Sequence, residues 1–288
     1  MGEFLILTDS TTDLPKSYYT EKGIPVISLS YIMDGVTYQD MNGLSDKEFF
    51  DKIRGGAMPT TSQINPEQAR EALEEVLKEG KDILYIAFTS GLSGSYNSVR
   101  IAAEELQEEY AERKIVVIDS LCASMGEGLL LYKAVQLKEQ GKTLEEIADW
   151  VENNKLNICH DVTIDDLHHL HRGGRVSKTS AVVGTLIKIK PIIHVNEEGK
   201  LIVIGKERGR KRAMLSLVDR MEKKSQGFEN DVVMIVHGDA EEDAEFLKQE
   251  IEKRFGIKEI IINGIGSVIG SHTGPGVISI FYMGDRSK

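Results

Sequence analysis

Short apolar runs alternate with amphipathic stretches through the first half of the chain. The runs over 83–88 and 115–118 are apolar at nearly every position, which is typical of strands buried on both faces. Between them, Val99, Ala102 and Leu106 recur at helical spacing. This alternation of strand and helix predicts a mainly parallel sheet flanked by helices.

Two local sequences predict where helices begin. Asn65 is a candidate cap, because Pro66 follows it at the first helical position and Gln68 lies three residues on. Thr143 and Glu146 have the spacing of a capping box. Both sequences precede apolar positions at helical spacing, so each predicts a helix packed on the sheet.

The second half has a different pattern. It predicts a short helix over 165–174, a helix through Val182 and Leu186, a hairpin over 190–204, helices over 207–224 and 240–255, and strands over 231–236, 259–262 and 277–282. We therefore expect two α/β domains. The N-terminal domain, 1–155, has the mainly parallel sheet, and the C-terminal domain, 156–288, has a mixed sheet with helices.

Composition narrows the class of protein. Of the 288 residues, 41% are hydrophobic and 28% are charged, as in an ordinary globular protein. The net charge of -11 disfavours binding to nucleic acid and to anionic membrane surfaces. Cys122 and Cys159 form no CxxC pair, which favours reduced thiols in a cytoplasmic protein. No apolar run approaches the ~20 residues of a membrane span, so we expect no membrane insertion.

The loop after the 83–88 run contains a serine between glycines, Gly91-Leu92-Ser93-Gly94-Ser95. The nucleophile elbow GxSxG would require glycine where Ser95 stands. Two other interpretations of this loop are stronger. Ser93 or Ser95 caps the following helix, or the free N–H groups at the start of that helix bind a carboxylate or phosphate.

The segment Gly264–Gly270 follows a predicted strand, as a dinucleotide-binding fingerprint would. Its spacing is one residue too long, and the glycines and proline over 274–276 would break the helix that the fingerprint must open. We therefore discount nucleotide binding here. The segment leaves His272 in what we expect to be an exposed, non-helical, glycine-rich loop.

Two basic stretches, 172–175 and 206–212, resemble phosphate or nucleic-acid contacts. No aromatic residues interleave them, so a solvated helix terminus or a contact for an acidic partner or a phosphate fits better. Four histidines lie between His160 and His171. His168 and His171 are one helical turn apart, but no ligand set of defined spacing is complete, and we predict no metal site.

Six motifs occur in order along nearly the whole chain: TDSTTDLP at 8–15, PTTSQ at 59–63, TSGLSGSY at 89–96, IDSLCASMG at 118–126, RGGRVSKT at 172–179 and HTGPG at 272–276. In this combination the chain resembles the DegV family, whose members are similar to the fatty-acid-binding subunit of bacterial fatty acid kinase. The resemblance implies a fatty acid in a tunnel at the junction of the two domains, with no other cofactor. It also implies a separate ATP-dependent kinase subunit that phosphorylates the bound carboxylate to an acyl phosphate.

The same resemblance implies which residues form the site. Thr61 or Ser62, Ser93 and His272 would bind the carboxylate, while Ser10, Arg175 and Arg210 are candidates for head-group or partner contacts. One departure from the family pattern is Ile64-Asn65, where a proline is common after Gln63.

Two other functions stay open. The chain is a serine hydrolase that uses Ser93 and His272, or a nucleic-acid-binding regulator that uses the basic stretches. The sequence does not predict the preferred chain length or unsaturation of the fatty acid, or the oligomeric state.

Overall fold

The structure is a computed structural model that describes residues 3–177 and 189–288. The helix predicted through Val182 and Leu186 lies outside the described residues. The remaining elements form three sheets with helices packed against them.

The first half is built on a four-stranded parallel sheet in the order β2-β1-β6-β7. Its strands are β1 (Phe4–Asp9), β2 (Val26–Ile27), β6 (Asp82–Ala87) and β7 (Ile115–Asp119). The helices of this half are α1 (Lys16–Lys22), α2 (Asp46–Arg54), α3 (Pro66–Lys78), α4 (Ser95–Glu109), α5 (Met125–Glu139) and α6 (Leu144–Asn154).

The predicted helix starts at Asn65 and Thr143 are confirmed. Asn65 Oδ1 accepts the backbone N–H of Gln68 at 2.8 Å at the start of α3. Thr143 and Glu146 form the complete capping box at the start of α6, each side chain accepting the other residue's backbone N–H. In both helices an orphan N–H of the first turn is therefore satisfied by a local side chain.

A small antiparallel sheet in the first half has no counterpart in the predicted elements. It consists of β3 (Ser30–Met33), β4 (Val36–Gln39) and β5 (Thr60–Ser62), in the order β4-β3-β5. Its strands are short, and β5 is entirely polar, so it has no hydrophobic alternation from which a strand is predicted.

The second half is built on a six-stranded mixed sheet in the order β10-β9-β8-β13-β11-β12, in which only β11 and β12 are parallel neighbours. Its strands are β8 (Ile158–Thr163), β9 (Ile189–Val195), β10 (Leu201–Arg208), β11 (Val232–His237), β12 (Glu259–Gly264) and β13 (Ile278–Met283). Its described helices are α7 (His168–Arg172), α8 (Arg210–Lys224), α9 (Glu241–Phe255) and α10 (Ser267–Thr273).

These elements confirm the predicted fold class of a parallel sheet followed by a mixed sheet. The helix predicted from residue 207 begins at Arg210, because β10 continues to Arg208 and Gly209, at φ 93°, turns the chain. The six-stranded sheet begins just after residue 155, but the domain boundary at that position stays a prediction.

The hairpin between β9 and β10 joins the two halves. The Thr89 hydroxyl, which follows β6, donates to the carbonyl of Gly199 at 3.0 Å. A Cβ on Gly91 would lie 2.6 Å from the carbonyl oxygens of Glu198 and Gly199. Gly91 is therefore required by the close approach of two backbones, which have little freedom to move apart.

We predict that Gly91→Ala destabilises the ligand-free protein by about 1–3 kcal/mol, because the added methyl group forces the hairpin away from the 89–94 loop. Urea unfolding of the purified variant measures this change. Gly205→Ala is the matched control, since a Cβ there meets only Ile192 Cβ, at 3.8 Å. Equal stability of the two variants would contradict the predicted contact.

Candidate functional site

A cavity of about 510 Å³ lies between the two halves. Side chains from both halves line it, and the strand-end loops after β6 and β7 contribute to its wall, as is usual at the carboxyl ends of parallel strands. Its volume falls in the range of ~300–1,000 Å³ typical of small-molecule sites. The lining is mainly apolar and buried, for example Leu29, Phe88, Ile164, Val195, Val268 and Phe281.

Strand alternation brings the second sheet's side chains to two different environments. In β8, His160 and Val162 line the cavity, while Cys159 packs in the apolar cluster on the other face, beside α8 and α9. In β13, Phe281 likewise lines the cavity and Tyr282 belongs to the opposite cluster. The cavity therefore replaces a packed core on one face of this sheet only.

A polar cluster in the cavity wall consists of Thr61, Ser93, Arg175 and His272, while the exposed residues Ser62, Gln63 and Asn65 also line the cavity. Each is at least partly exposed, unlike the apolar lining residues named above. The polar cluster therefore lies where the cavity meets solvent.

Thr61 reaches the cluster through the register of the small sheet. It lies opposite Tyr31, which is fully buried, so Thr61 is on the inner face and its neighbours Thr60 and Ser62 are on the exposed face. Its hydroxyl is 2.8 Å from Nε2 of His272. The contact joins the first and second halves directly.

The expectation that His272 lies in a non-helical loop is wrong. His272 is in the last turn of α10, which ends at Thr273, and Gly274, at φ 74°, terminates it. The glycine-proline sequence therefore stops the helix one residue after the histidine rather than preventing it from forming. His272 is mostly buried as a result.

Burial, together with the smaller effect of the positive charges of Arg175 and Arg172, lowers the pKa of His272 to about 4. The ring is therefore neutral near pH 7 in the ligand-free protein. A Cβ on Gly173 would lie 2.2 Å from its Nδ1, so the glycine-ended α7 makes room for the imidazole.

Ser93 has features of both interpretations that the sequence left open. Its hydroxyl accepts the backbone N–H of Ser95 at the start of α4, at 3.2 Å, and lies 3.0 Å from the Ser95 hydroxyl. It also lines the cavity. Gly94, rather than either serine, occupies the cap position itself.

Arg175 is a half-buried cation in the polar cluster. Its guanidinium donates to the carbonyl of Leu92 at 3.2 Å and to the carbonyl of Gly173. Burial alone lowers its pKa, and no ion pair links it to a carboxylate among residues 3–177 and 189–288. Its charge is therefore available to an anion in the cavity.

The structure does not bring Ser10 or Arg210 to the cavity. The Ser10 hydroxyl is buried and donates to Asp40 at 2.9 Å. Arg210 donates to Asp243 at 2.8 Å and forms a longer ion pair with Asp165, at 3.5 Å, in a separate surface cleft. Neither residue lines the cavity, so the structure does not bring them together with Thr61, Ser93 and His272, and head-group contact by either stays a prediction. A partner contact by Arg210 stays a prediction.

Sequence reasoning missed His160 as part of the cavity wall. Its Nε2 accepts the N–H of Ala123 at 3.1 Å, and Nδ1 lies 3.1 Å from the carbonyl of Ile158. The alternation of side chains along β8 is the signal that would have placed it on the cavity face. The other three histidines of the cluster, His168, His169 and His171, lie on α7.

Within the ranges 3–177 and 189–288, no group of three or more His, Cys, Asp or Glu side chains has the arrangement of a metal site. In the same ranges, every helix is too short or too polar to cross a bilayer.

Comparison with known proteins gives the family. The model of the family described as "Uncharacterised protein, DegV family" matches residues 3–285. A DegV domain-containing protein of Clostridium perfringens is 45% identical over 290 residues, which cover 100% of both chains. A DegV domain-containing protein of Streptococcus pyogenes is 36% identical over 287 residues, 99% of each chain.

Two solved structures have the same fold. A DegV family protein of Thermus thermophilus, described as binding fatty acid, has a TM-score of 0.88 and 30% identity over 98% of this chain and 99% of its own. A DegV lipid-binding protein of Thermotoga maritima has a TM-score of 0.86 and 30% identity over 98% of each chain. With its cavity between two α/β halves and matches along its whole length, the chain belongs to the DegV family.

Proposed function

We propose that this protein binds one long-chain fatty acid, with the tail in the cavity and the carboxylate at Thr61, Ser93 and His272. Of the two alternatives Thr61 and Ser62, Thr61 is the one whose side chain lies on the inner face of β5. The observation that carries the proposal is the division of a mainly apolar cavity wall from one partly exposed polar cluster. An amphiphile with one anionic end matches this division. The solved relatives described as fatty-acid-binding and lipid-binding support the same ligand class.

The tail dominates the binding free energy. A tail of about fifteen carbons gains ~0.8 kcal/mol for each methylene removed from water, or roughly 12 kcal/mol before losses. Association and ordering offset several kcal/mol of this gain. Each hydrogen bond to the carboxylate contributes ~1.5–3 kcal/mol at best. The apolar wall therefore sets affinity, and the polar cluster sets orientation.

The carboxylate changes the state of His272. In the ligand-free protein the neutral ring shares a hydrogen bond with Thr61. A carboxylate placed beside the ring favours the imidazolium and raises the pKa of His272 from its lowered value. The Thr61 and Ser93 hydroxyls donate to the same anion, and Arg175 adds a nearby positive charge.

We also propose that the protein presents the bound fatty acid to a kinase. Because every side chain of the polar cluster is at least partly exposed, a partner can reach the carboxylate while the tail stays buried. A separate ATP-dependent fatty acid kinase subunit then transfers the γ-phosphoryl group to a carboxylate oxygen, which yields an acyl phosphate and ADP. This chain holds and orients the acceptor, and the partner supplies ATP.

The hydrolase alternative is not favoured by the contacts at the site. A serine nucleophile needs a histidine base within hydrogen-bonding distance. The Ser93 hydroxyl contacts Ser95, and His272 contacts Thr61. No carboxylate orients the imidazole within the described ranges, and its lowered pKa makes it a weak base.

We predict that native mass spectrometry of the purified protein detects one bound long-chain fatty acid, because a buried apolar tail dissociates slowly. Denaturation should release a single acid per chain. A fluorophosphonate probe serves as the control for hydrolase activity and should leave Ser93 unlabelled. A protein that carries no lipid, fails to take up added palmitate and labels at Ser93 would reverse the assignment.

We predict that the imidazole of His272 titrates near pH 4 in the ligand-free protein and at higher pH when palmitate is bound. Burial and Arg175 favour the neutral ring, and the carboxylate opposes them. Because the folded pKa is lowered, folding stability from this group is present above the unfolded value of ~6.5 and is lost as pH falls toward 4. NMR titration of the His272 ring measures both states. A midpoint unchanged by palmitate would exclude contact with the carboxylate.

We predict that His272→Ala still binds fatty acid but supports much slower acyl phosphate formation with a cognate kinase. The tail keeps the ligand bound, while the carboxylate loses the group that orients it. Ligand occupancy, thermal melting and kinase turnover are measured on one preparation, with His168→Ala, an exposed position on α7, as the control. Lower melting temperature with normal turnover per folded molecule would give His272 a structural role only.

A further inference from the structure

Helix α10 is a continuous part of the cavity wall that comes from the second half. Val268, Ile269, His272 and Thr273 all line the cavity. The position of this short helix therefore determines the position of the His272 ring. The contacts at the start of α10 decide that position.

Two carboxylates of the first half bind the start of α10. The backbone N–H of Gly266 donates to Asp13 Oδ1 at 2.9 Å, and that of Val268 donates to Asp40 Oδ1 at 3.3 Å. No side chain of the helix itself caps this end. The orphan N–H groups of the helix are thus satisfied across the junction of the two halves.

A second hydrogen bond, from a serine hydroxyl, holds each carboxylate in place. Asp13 Oδ2 accepts the hydroxyl of Ser124, which itself lines the cavity. Asp40 Oδ2 accepts the hydroxyl of Ser10 at 2.9 Å, and Ser10 in turn accepts the backbone N–H of Leu29 at 3.1 Å. Each acceptor therefore has a defined position before it meets α10.

Burying these two carboxylates without a cation is energetically unfavourable. Asp13 is 5% exposed and Asp40 is fully buried. Burial raises the pKa of Asp40 to about 6 and raises that of Asp13 well above its usual range, and no Lys or Arg contributes to either shift. Buried carboxylates without a cation are rare unless a specific contact requires them.

The glycine-rich segment that resembled a nucleotide-binding fingerprint allows this contact. A Cβ on Gly266 would lie 2.7 Å from Asp13 Oδ1 and 3.4 Å from both Asp40 oxygens. A Cβ on Gly264 would lie 2.1 Å from Asp46 Oδ2. These glycines bring the backbone against protein carboxylates rather than against a pyrophosphate.

We propose that Asp13 and Asp40 are positioning residues that act through α10, holding the start of the helix so that His272 meets the ligand carboxylate. Val268 and His272 are four residues apart, about 6 Å along a helix, so a shift at the anchored end moves the imidazole with it. The inference rests on the proposed binding of a fatty acid carboxylate at His272.

The test compares palmitate with hexadecanol, which has the same tail without the charge. Asp40→Ala removes the acceptor for Val268, so α10 shifts and the contact between His272 and the carboxylate weakens. We expect the ratio of palmitate to hexadecanol affinity to fall roughly ten-fold, the value of one hydrogen bond to a charged group. Asp40→Asn keeps an acceptor at the same place and should restore the wild-type ratio.

A buried carboxylate that does not touch α10 provides the control. Glu127 is fully buried and accepts hydroxyls of Thr8 and Thr11, both in the first half. Glu127→Ala should lower the melting temperature and leave the affinity ratio unchanged. Gly266→Ala is a second variant, for use if Asp40→Ala does not fold, because its methyl group displaces Asp13 without removing a charge. We expect it to lower the ratio as well.

The outcomes separate the inference from the function on which it rests. Wild-type protein that binds neither ligand, or binds both equally, contradicts the proposed carboxylate site before any variant is made. A different result would overturn the positioning role alone. In that case wild-type protein prefers palmitate, and Asp40→Ala or Gly266→Ala has a lower melting temperature but the same ratio of palmitate to hexadecanol affinity.

Discussion

The contact between Thr61 and His272 joins residues 211 positions apart in the chain and closes the polar side of the cavity. One partner comes from an edge strand of the small sheet and the other from the last turn of α10. An open cavity in a protein interior lacks the dispersion contacts of a packed core, so its walls must be held by contacts elsewhere. This bond, the β9–β10 hairpin and the carboxylates at the start of α10 are such contacts.

Polar groups around the cavity have two different kinds of partner. Ser124, Asp13 and Asp40 are buried and hydrogen-bonded within the protein, so their polar capacity is already used. Arg175 and the Thr61–His272 pair lie near solvent, and Arg175 has no carboxylate partner in the ranges 3–177 and 189–288. The buried, hydrogen-bonded groups fix the shape of the wall. The groups near solvent leave the charge of Arg175 and the side chains of Thr61 and His272 free to interact with a ligand.

Sequence patterns predicted the larger elements because those elements have strong local signals. The apolar run over 83–88 and the caps at Asn65 and Thr143 are examples. The small sheet was not predicted, since β5 is three polar residues that pair only with β3. The helical state of His272 was also missed, because α10 is held by Asp13 and Asp40, more than 200 residues away. The resemblance supplied Thr61, Ser93 and His272 as site residues, whereas no local pattern distinguishes a tunnel wall from a packed core.

We propose that the carboxylate of a bound fatty acid lies against Thr61 and His272. Palmitate labelled with ¹³C at the carboxyl carbon and bound to the protein tests it directly by NMR. We expect a single bound resonance that shifts in Thr61→Val and in His272→Gln, and stays in place in Arg208→Ala, an exposed position on β10. A bound resonance with the shift of a fully hydrated carboxylate, unchanged by either site variant, would contradict it.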